Sequence, residues 1–514
     1  MMGKQEPPQG KLFYTAMNLE NRIRANHPLR QMDRILDLSF VSEEVKEMYG
    51  YNGNVSVPPS IVIKLMLLLV FYNVRSEREL MDTVPERLDW LWFLGYDLDS
   101  DIPNHSVLSK ARRRWGVNVF RGLFERVVWR CVESGLVDGT KIFMDSSLVE
   151  ADASKNSVVD RQSLNRYLNE SYRKLEARLE AIDEDAGDST GGGKVNERYI
   201  STTDPDASIV RHNSGNPKLS YKTHRAVDSS HEIITAVDTT TGAINEAHKM
   251  QDLADQHSAN TEKRVRTIVA DGKYGTKENY LSCCDQGIVA HMPDLKGRQD
   301  KGTRRSEIFG SERFQYDKAT DTYICPKEQR LYRRSHHKGR GSSDYGTMKG
   351  ICDKCVLREQ CTKAKSGRTI HRDHRQDEVD TMRECAKSAI AKQDIQTRKH
   401  LMERSFARAV RYGFKRARWR GLWRVMVQDY IIATIQNLAV MIKCGARPQK
   451  ALALRLLPTI TNSTWSVFQF LLVEFRIKFS YLSNMLAIVR NKNSFGQQAV
   501  YSSLLKSKGS NQGT

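Results

Sequence analysis

The sequence predicts an α/β protein. A mixed sheet with flanking helices forms the centre, an all-α domain precedes it, and a small Cys-rich insertion interrupts it. Three observations point there. Short apolar runs (KIFM, RTIVA and IVAHM) read as buried strands. Long apolar stretches at helical spacing lie before and after them. Five of the nine cysteines fall in a polar segment between about 296 and 390.

The elements follow in order. Residues 1–135 read as a helical domain for DNA binding or dimerisation. PPSIVIKLMLLLVFYNV has the length and composition of a core helix, and SERELMDTVPERLDWLWFLG continues in helical style to its Gly. Pro103 to Ser106 open a further helix decorated by Lys110, Arg112, Arg113 and Arg114. That helix is either the basic helix of a helix-turn-helix unit or the solvated face of a bundle helix. Residues 139–149 form the first strand. From about 155 to 200 an exposed helix and a flexible Gly-rich loop are expected. KLSYKTHRAVD and HEIITAVDTTTG read as a hairpin joined at Asp228, Ser229 and Ser230. RTIVADGKYG is a strand ending at Asp271, KENYLSCCDQG a helix, and IVAHMPD the last strand. The order β, β-β, β, α, β resembles a ribonuclease H-like sheet. Residues 301–384 show no sheet pattern and read as a polar insertion. Residues 385–445 are helical and complete a domain begun at 136–300; DYIIATIQNLAVMIK has the spacing of a core helix. Residues 446–514 form a C-terminal extension.

Composition narrows the partners. With 514 residues the chain has room for two to four domains. Lys and Arg number 81 against 61 Asp and Glu, a net charge of +20. The clustering is more telling than the total: ten basic residues and one acid, Glu403, lie between Arg398 and Arg424. That density suits a phosphate backbone and the counterion release that accompanies its binding. No run of 18 uncharged apolar residues occurs, since Ile61 to Tyr72 is short and contains Lys64. The N-terminus lacks the apolar core of a signal peptide. A cytoplasmic protein is expected, with no membrane and no nucleotide cofactor. Nine cysteines without a secretion signal argue against a disulfide framework.

Three acids are candidates for chemistry. Asp145 follows KIFM, where a strand would hold its carboxylate rigidly; the plainer role is a turn cap with Ser146 and Ser147. Asp152 is a rival, but the apolar run ends before it. Asp271 stands between RTIVA and GKYG, where Gly272 and Gly275 permit a tight strand exit. Glu403 is the lone acid of its basic stretch, and its plainer role is an i,i+4 ion pair with Lys399. Carboxylates of this kind, two on strands and one on a helix, can hold two divalent ions for attack on a phosphodiester. Tyr412, Trp419 and Trp423 interleave with the arginines and either stack on bases or, the commoner case, pack inside. Cys325, Cys352, Cys355 and Cys361 include a Cys-x2-Cys step and suit structural Zn²⁺; His336, His337, His371 and His374 are alternative fourth ligands. Cys283 and Cys284 carry no clear signal.

On MDSSLVEADASKNS, SYKTHRAVDSSHEIITAVDTTTGAINEAH, IVADGKYGT and MERSFARAVRYGFKRARWRGLWRVMVQDYIIATIQNLAVM, the chain resembles the DDE transposases of bacterial insertion sequences, from about residue 30 to 445. The resemblance implies that Asp145, Asp271 and Glu403 are the catalytic triad and bind two Mg²⁺ or Mn²⁺ ions. It implies cutting at element ends, joining of the freed 3′-hydroxyls to target DNA, and a homodimer acting on double-stranded DNA beside the nucleoid. The DNA contacts expected are Lys399, Arg404, Arg408, Arg411, Lys415, Arg416, Arg418 and Arg420, with Lys110, Arg112 and Arg113. The chain departs from the pattern around Glu403. Gln396 stands where relatives carry a Tyr, Lys399 where they carry an Arg, and Val410 where they carry a Lys, with Arg408 or Arg411 as substitutes. A DNA-binding relative without catalysis, or a nuclease that never joins ends, would share most of these features.

Overall fold

The computed structural model describes residues 18–50, 55–160, 193–211, 216–293 and 308–445. The expected extension at 446–514 lies outside the described residues, as does 161–192 of the expected exposed helix and loop.

Helices come first: α1 (Leu19–Arg22), α2 (Pro28–Ile35), α3 (Ser39–Val45), α4 (Pro59–Phe71), α5 (Glu77–Thr83), α6 (Leu88–Leu94), α7 (Ser106–Trp115) and α8 (Asn118–Glu133). Pro59 opens α4 at a position whose N–H would have no helical partner. Nearly every side chain from Ile61 to Val70 is buried, so α4 has no solvent face and forms the centre of the bundle. Ser76 caps α5 by accepting from the Glu79 N–H at 3.1 Å.

The central sheet is built from β1 (Lys141–Glu150), β4 (Ser208–Val210), β5 (Lys218–Asp228), β6 (Ile234–Thr241), β7 (Thr267–Val269) and β8 (Val289–His291). A separate pair joins β2 (Val158–Asp160) to β3 (Tyr199–Ser201), with the short α9 (Gly193–Arg198) ahead of β3. The sheet order is β4-β5-β1-β7-β8, with β6 also on β5. β5 runs antiparallel to both β1 and β6, whereas β7 and β8 continue parallel to β1. Parallel neighbours need crossovers. Here α10 (Met250–Thr261) leads into β7 and α11 (Lys277–Gln286) joins β7 to β8. The sequence reading had α11 but not α10 or β4. β1 is covered on both faces: Phe143 and Val149 enter one core, Ile142 and Met144 the other. That double burial is why KIFM is continuously apolar.

Residues 301–384 depart from expectation. Five antiparallel strands occur there: β9 (Gln315–Asp317), β10 (Thr322–Ile324), β11 (Arg330–His337), β12 (Ser342–Gly346) and β13 (Thr369–Asp373), in the order β13-β12-β11-β10-β9. Their small core is Phe314, Tyr323, Leu331, Tyr345 and Ile370. With so few apolar residues per strand, no apolar run betrays the sheet. The short α12 (Arg358–Cys361) and α13 (Gln376–Cys385) complete this region.

Two long helices close the described chain: α14 (Ala389–Val410) and α15 (Leu422–Lys443). α15 is long and apolar enough to cross a membrane, but 78% of its apolar window is buried in the protein. It packs on α4, α8 and β6, so the N-terminal helices, one sheet face and α15 share a single core. Arg225 on β5 fixes that packing. It donates to Asp429 (2.7 Å) and Gln436 (2.9 Å) on α15 and stacks on Phe406 and Phe414.

Candidate active site

The parallel pairing of β1 with β7 sets Phe143 opposite Val269. Two residues further along each chain stand Asp145 and Asp271. Asp145 lies within β1 and Asp271 just past the end of β7, and the two carboxylates are close enough for the charge of one to act on the other. Asp145 is half-buried and accepts from Arg398 Nη1 of α14 at 2.6 Å and from its neighbour's backbone, Ser146 N–H, at 2.8 Å. Burial raises the Asp145 carboxyl, and the nearby Asp271 adds to this, against the pull of Arg398. Asp271 leads a tight turn. Its side chain accepts from the Lys273 N–H at 2.9 Å, and its carbonyl from Tyr274 N–H at 3.1 Å. Gly275 closes the turn, because a Cβ there would lie 2.3 Å from the Pro293 carbonyl oxygen.

Glu403 is placed differently. The buried stripe of α14 is Ala391, Asp394, Arg398, Leu401, Met402, Ser405 and Ala409. At 3.6 residues per turn, Glu403 lies about 140° round the helix from Arg398, and it is exposed. The structure thus brings Asp145 and Asp271 together and leaves Glu403 on another face of α14. Arg398, which carried no weight in the sequence reading, takes the position facing Asp145.

Further residues lie beside these two aspartates. Glu246 follows β6 in a short 3₁₀ turn and is only 4% exposed. It pairs with Lys273 Nζ at 2.5 Å and accepts from the Ser146 hydroxyl. Tyr274 is fully buried beside these groups; its hydroxyl lies against Ser146 and makes no hydrogen bond of ordinary geometry among the described residues. Burial depresses the Lys273 ammonium, but the bond to Glu246 and the charges of Glu246, Asp271 and Asp145 outweigh it and raise its pKa. GAINEAH offered no periodic signal that could have singled out Glu246.

The expected DNA contacts divide. Lys110, Arg113, Lys399, Arg411 and Lys415 are exposed. Arg404 and Arg408 are exposed but share Glu232, and Arg416 and Arg420 share Asp152, the former rival of Asp145. Arg112 is a correction: it is 3% exposed, paired with Glu77 and stacked on Trp419 at 4.0 Å. Its neighbours Leu108, Ala111 and Trp115 share the buried side of α7, which draws it inward. Arg418 likewise turns inward, donating to the Val74 carbonyl (2.6 Å) and to Asn73. Tyr412 stacks on Phe71, and Trp419 donates to Glu77 at 3.0 Å, so both serve packing.

Cys325, Cys352, Cys355 and Cys361 converge around one cavity of about 290 Å³, together with Phe314, Leu331 and Arg368. Burial raises the Cys361 thiol, and the other three thiols add to the effect. None of the four is in a disulfide. His337 and His371 instead face Asp344, and His336 stacks on His374. Among the described residues no three His, Cys, Asp or Glu side chains are gathered closely enough to hold a metal ion as they stand.

Residues 17–114 match a family model described as Transposase domain (DUF772), and residues 324–442 match one described as Transposase DDE domain. Together they support a DDE transposase of insertion sequences. The two matches support a transposase function and, with it, DNA binding. No curated protein and no solved structure matches the chain.

Proposed function

We propose that the protein is a DNA transposase that cuts the ends of its insertion sequence and joins them to target DNA by two-metal phosphoryl transfer. The observation that carries this is the register of β1 and β7, which sets Asp145 beside Asp271. The strand order β6-β5-β1-β7-β8, antiparallel then parallel, supports a ribonuclease H-like reading of the sheet. The donor set is all carboxylate oxygen at the metals' end, which suits Mg²⁺ or Mn²⁺.

When bound, the metals would polarise the scissile phosphate and activate the attacking oxygen. Asp145 and Asp271 would hold them, with Glu403, exposed on the neighbouring α14, as the third acid of the set. Arg398 balances the Asp145 charge until the metals bind and afterwards is free for a phosphate oxygen. Lys399, Arg411 and Lys415 would anchor the DNA backbone along the same stretch. Two copies would pair two ends. We further propose that the four cysteines close on structural Zn²⁺ and stiffen the β9–β13 sheet, whose own core is small.

The test is an assay with Mg²⁺ on double-stranded DNA carrying the element's ends. The proposal expects joined products from the wild type and none from Asp271→Asn. Free cut ends without joined ones would reduce the function to a nuclease. Binding without cutting in the wild type would make it a DNA-binding relative without catalysis.

A further inference from the structure

Glu246 is nearly without solvent, yet no apolar packing explains an acid there. Its carboxylate is gripped by two groups: by the hydroxyl of Ser146, the residue after Asp145, and by the ammonium of Lys273, two residues after Asp271. Its backbone is equally fixed. Asn245 accepts from the Ala247 N–H at 3.1 Å, and Asn279 of α11 donates to the carbonyls of both Ala247 (3.0 Å) and Tyr274 (2.9 Å). The turn bearing Glu246 and the turn bearing Asp271 are therefore tied to one side chain. A second, independent feature marks the site. The Tyr274 hydroxyl is wholly buried against Ser146, makes no hydrogen bond of ordinary geometry among the described residues, and lies in the field of Glu246, Asp145 and Asp271. An unsatisfied buried hydroxyl costs stability unless something else uses it.

We propose that Glu246 is a further acid of the divalent-cation site, and that Lys273 is its resident cation, displaced when the ion arrives. This rests on the proposed metal-dependent function. The lysine suits the role. Its ammonium engages a Glu246 side chain that is 5% exposed, while its own side chain is 60% exposed and has a path outward to solvent. Arg398 plays the matching part on Asp145. Lys273 and Arg398 thus offset the charge of the three acids, and Lys222 adds its own beside Glu246. Replacing a monovalent ammonium by a divalent ion would draw the carboxylates toward one centre and leave Tyr274 and Ser146 to hydrogen-bond its hydration shell.

The experiment is a titration of the metal-free full chain with Mn²⁺, read by calorimetry and by the electron paramagnetic resonance of free Mn²⁺. Melting curves check that each variant is folded. Glu246→Gln keeps the shape of the side chain and should weaken Mn²⁺ binding by about tenfold or more. Lys273→Met removes the competing cation and should tighten it several-fold. Asp271→Asn serves as the control for the underlying reading. Loss of binding in Asp271→Asn with wild-type affinity in Glu246→Gln would overturn this inference alone. Unchanged affinity in Asp271→Asn would overturn the metal site itself. If Glu246→Gln fails to fold, Lys273→Met decides: weaker or equal Mn²⁺ binding refutes the displaced-cation role.

Discussion

Arg225→Met should destabilise the protein by about 4 kcal/mol. Arg225 is 0% and Asp429 3% exposed at their side chains, so neither charge has water to fall back on. Removing the arginine leaves Asp429 with only the Thr239 hydroxyl at 2.9 Å, and strips Gln436 of its donor. Breaking one side of a buried pair costs roughly 3–5 kcal/mol. The stack on Phe406 and Phe414 is partly replaced by the methionine. At roughly 2 °C per kcal/mol for a unit of this size, the melting temperature should fall by about 8 °C. Asp429→Leu alone should cost a comparable amount. The double variant Arg225→Met, Asp429→Leu should recover to within about 2 kcal/mol of wild type, because a buried pair and an apolar replacement are close in free energy. Calorimetry and urea unfolding on all four proteins give the coupling. A single-variant loss below about 1 kcal/mol, or a double variant as unstable as the summed singles, would refute the reasoning. The pair matters beyond stability, since Arg225 is the cross-strand partner of Asp145 and locks α15 to the strand beside the site.

Three other outcomes are expected. His224 is buried, and burial lowers its pKa to about 3, so the folded state keeps it neutral. Its contribution is whole above the unfolded value near 6.5 and is lost as pH falls from there toward 3, at about 1.4 kcal/mol per pH unit. Melting temperature against pH should be flatter over that window in His224→Gln; an identical slope contradicts the assignment. Protein purified without chelator should carry about one zinc per chain by elemental mass spectrometry, and Cys355→Ser should lose it; equal metal content in both would leave the cysteines without that role. Replacing Lys399, Arg411 and Lys415 together by Ala should lower the salt dependence of DNA binding by about three units of slope, while Arg112→Met, an interior change, should leave the slope as it is.

The pieces legible in the sequence were those with continuous or periodic apolar signal. KIFM, RTIVA and the DYIIATIQNLAVMIK helix are buried on several sides, so composition alone exposes them. Asp145 and Asp271 stand out in the sequence because each follows such a run. Glu246 was not, because it sits in a short 3₁₀ turn whose meaning comes from tertiary contacts with Ser146 and Lys273. Arg398 was passed over because ten basic residues share its stretch and only the rotation of α14 separates it from Lys399. The same rotation puts Glu403 on an exposed face, which no spacing rule for a lone acid could reveal. The β9–β13 sheet stayed hidden because its core rests on a few scattered tyrosines and aliphatics. Arg112 read as a surface charge, but its neighbours on α7 draw it inward against Trp419.

The central claim is that Asp145 and Asp271 form one metal-dependent centre for cutting DNA. The most direct measurement is cleavage of end-bearing DNA across a Mn²⁺ titration by the wild type, Asp145→Asn and Asp271→Asn, with DNA binding measured in parallel. The account predicts metal-dependent cutting by the wild type and none by either variant, with DNA affinity within about twofold in all three, since most of the proposed phosphate contacts are basic residues away from the two aspartates. Undiminished cutting by either variant, or cutting without a divalent metal, would contradict it.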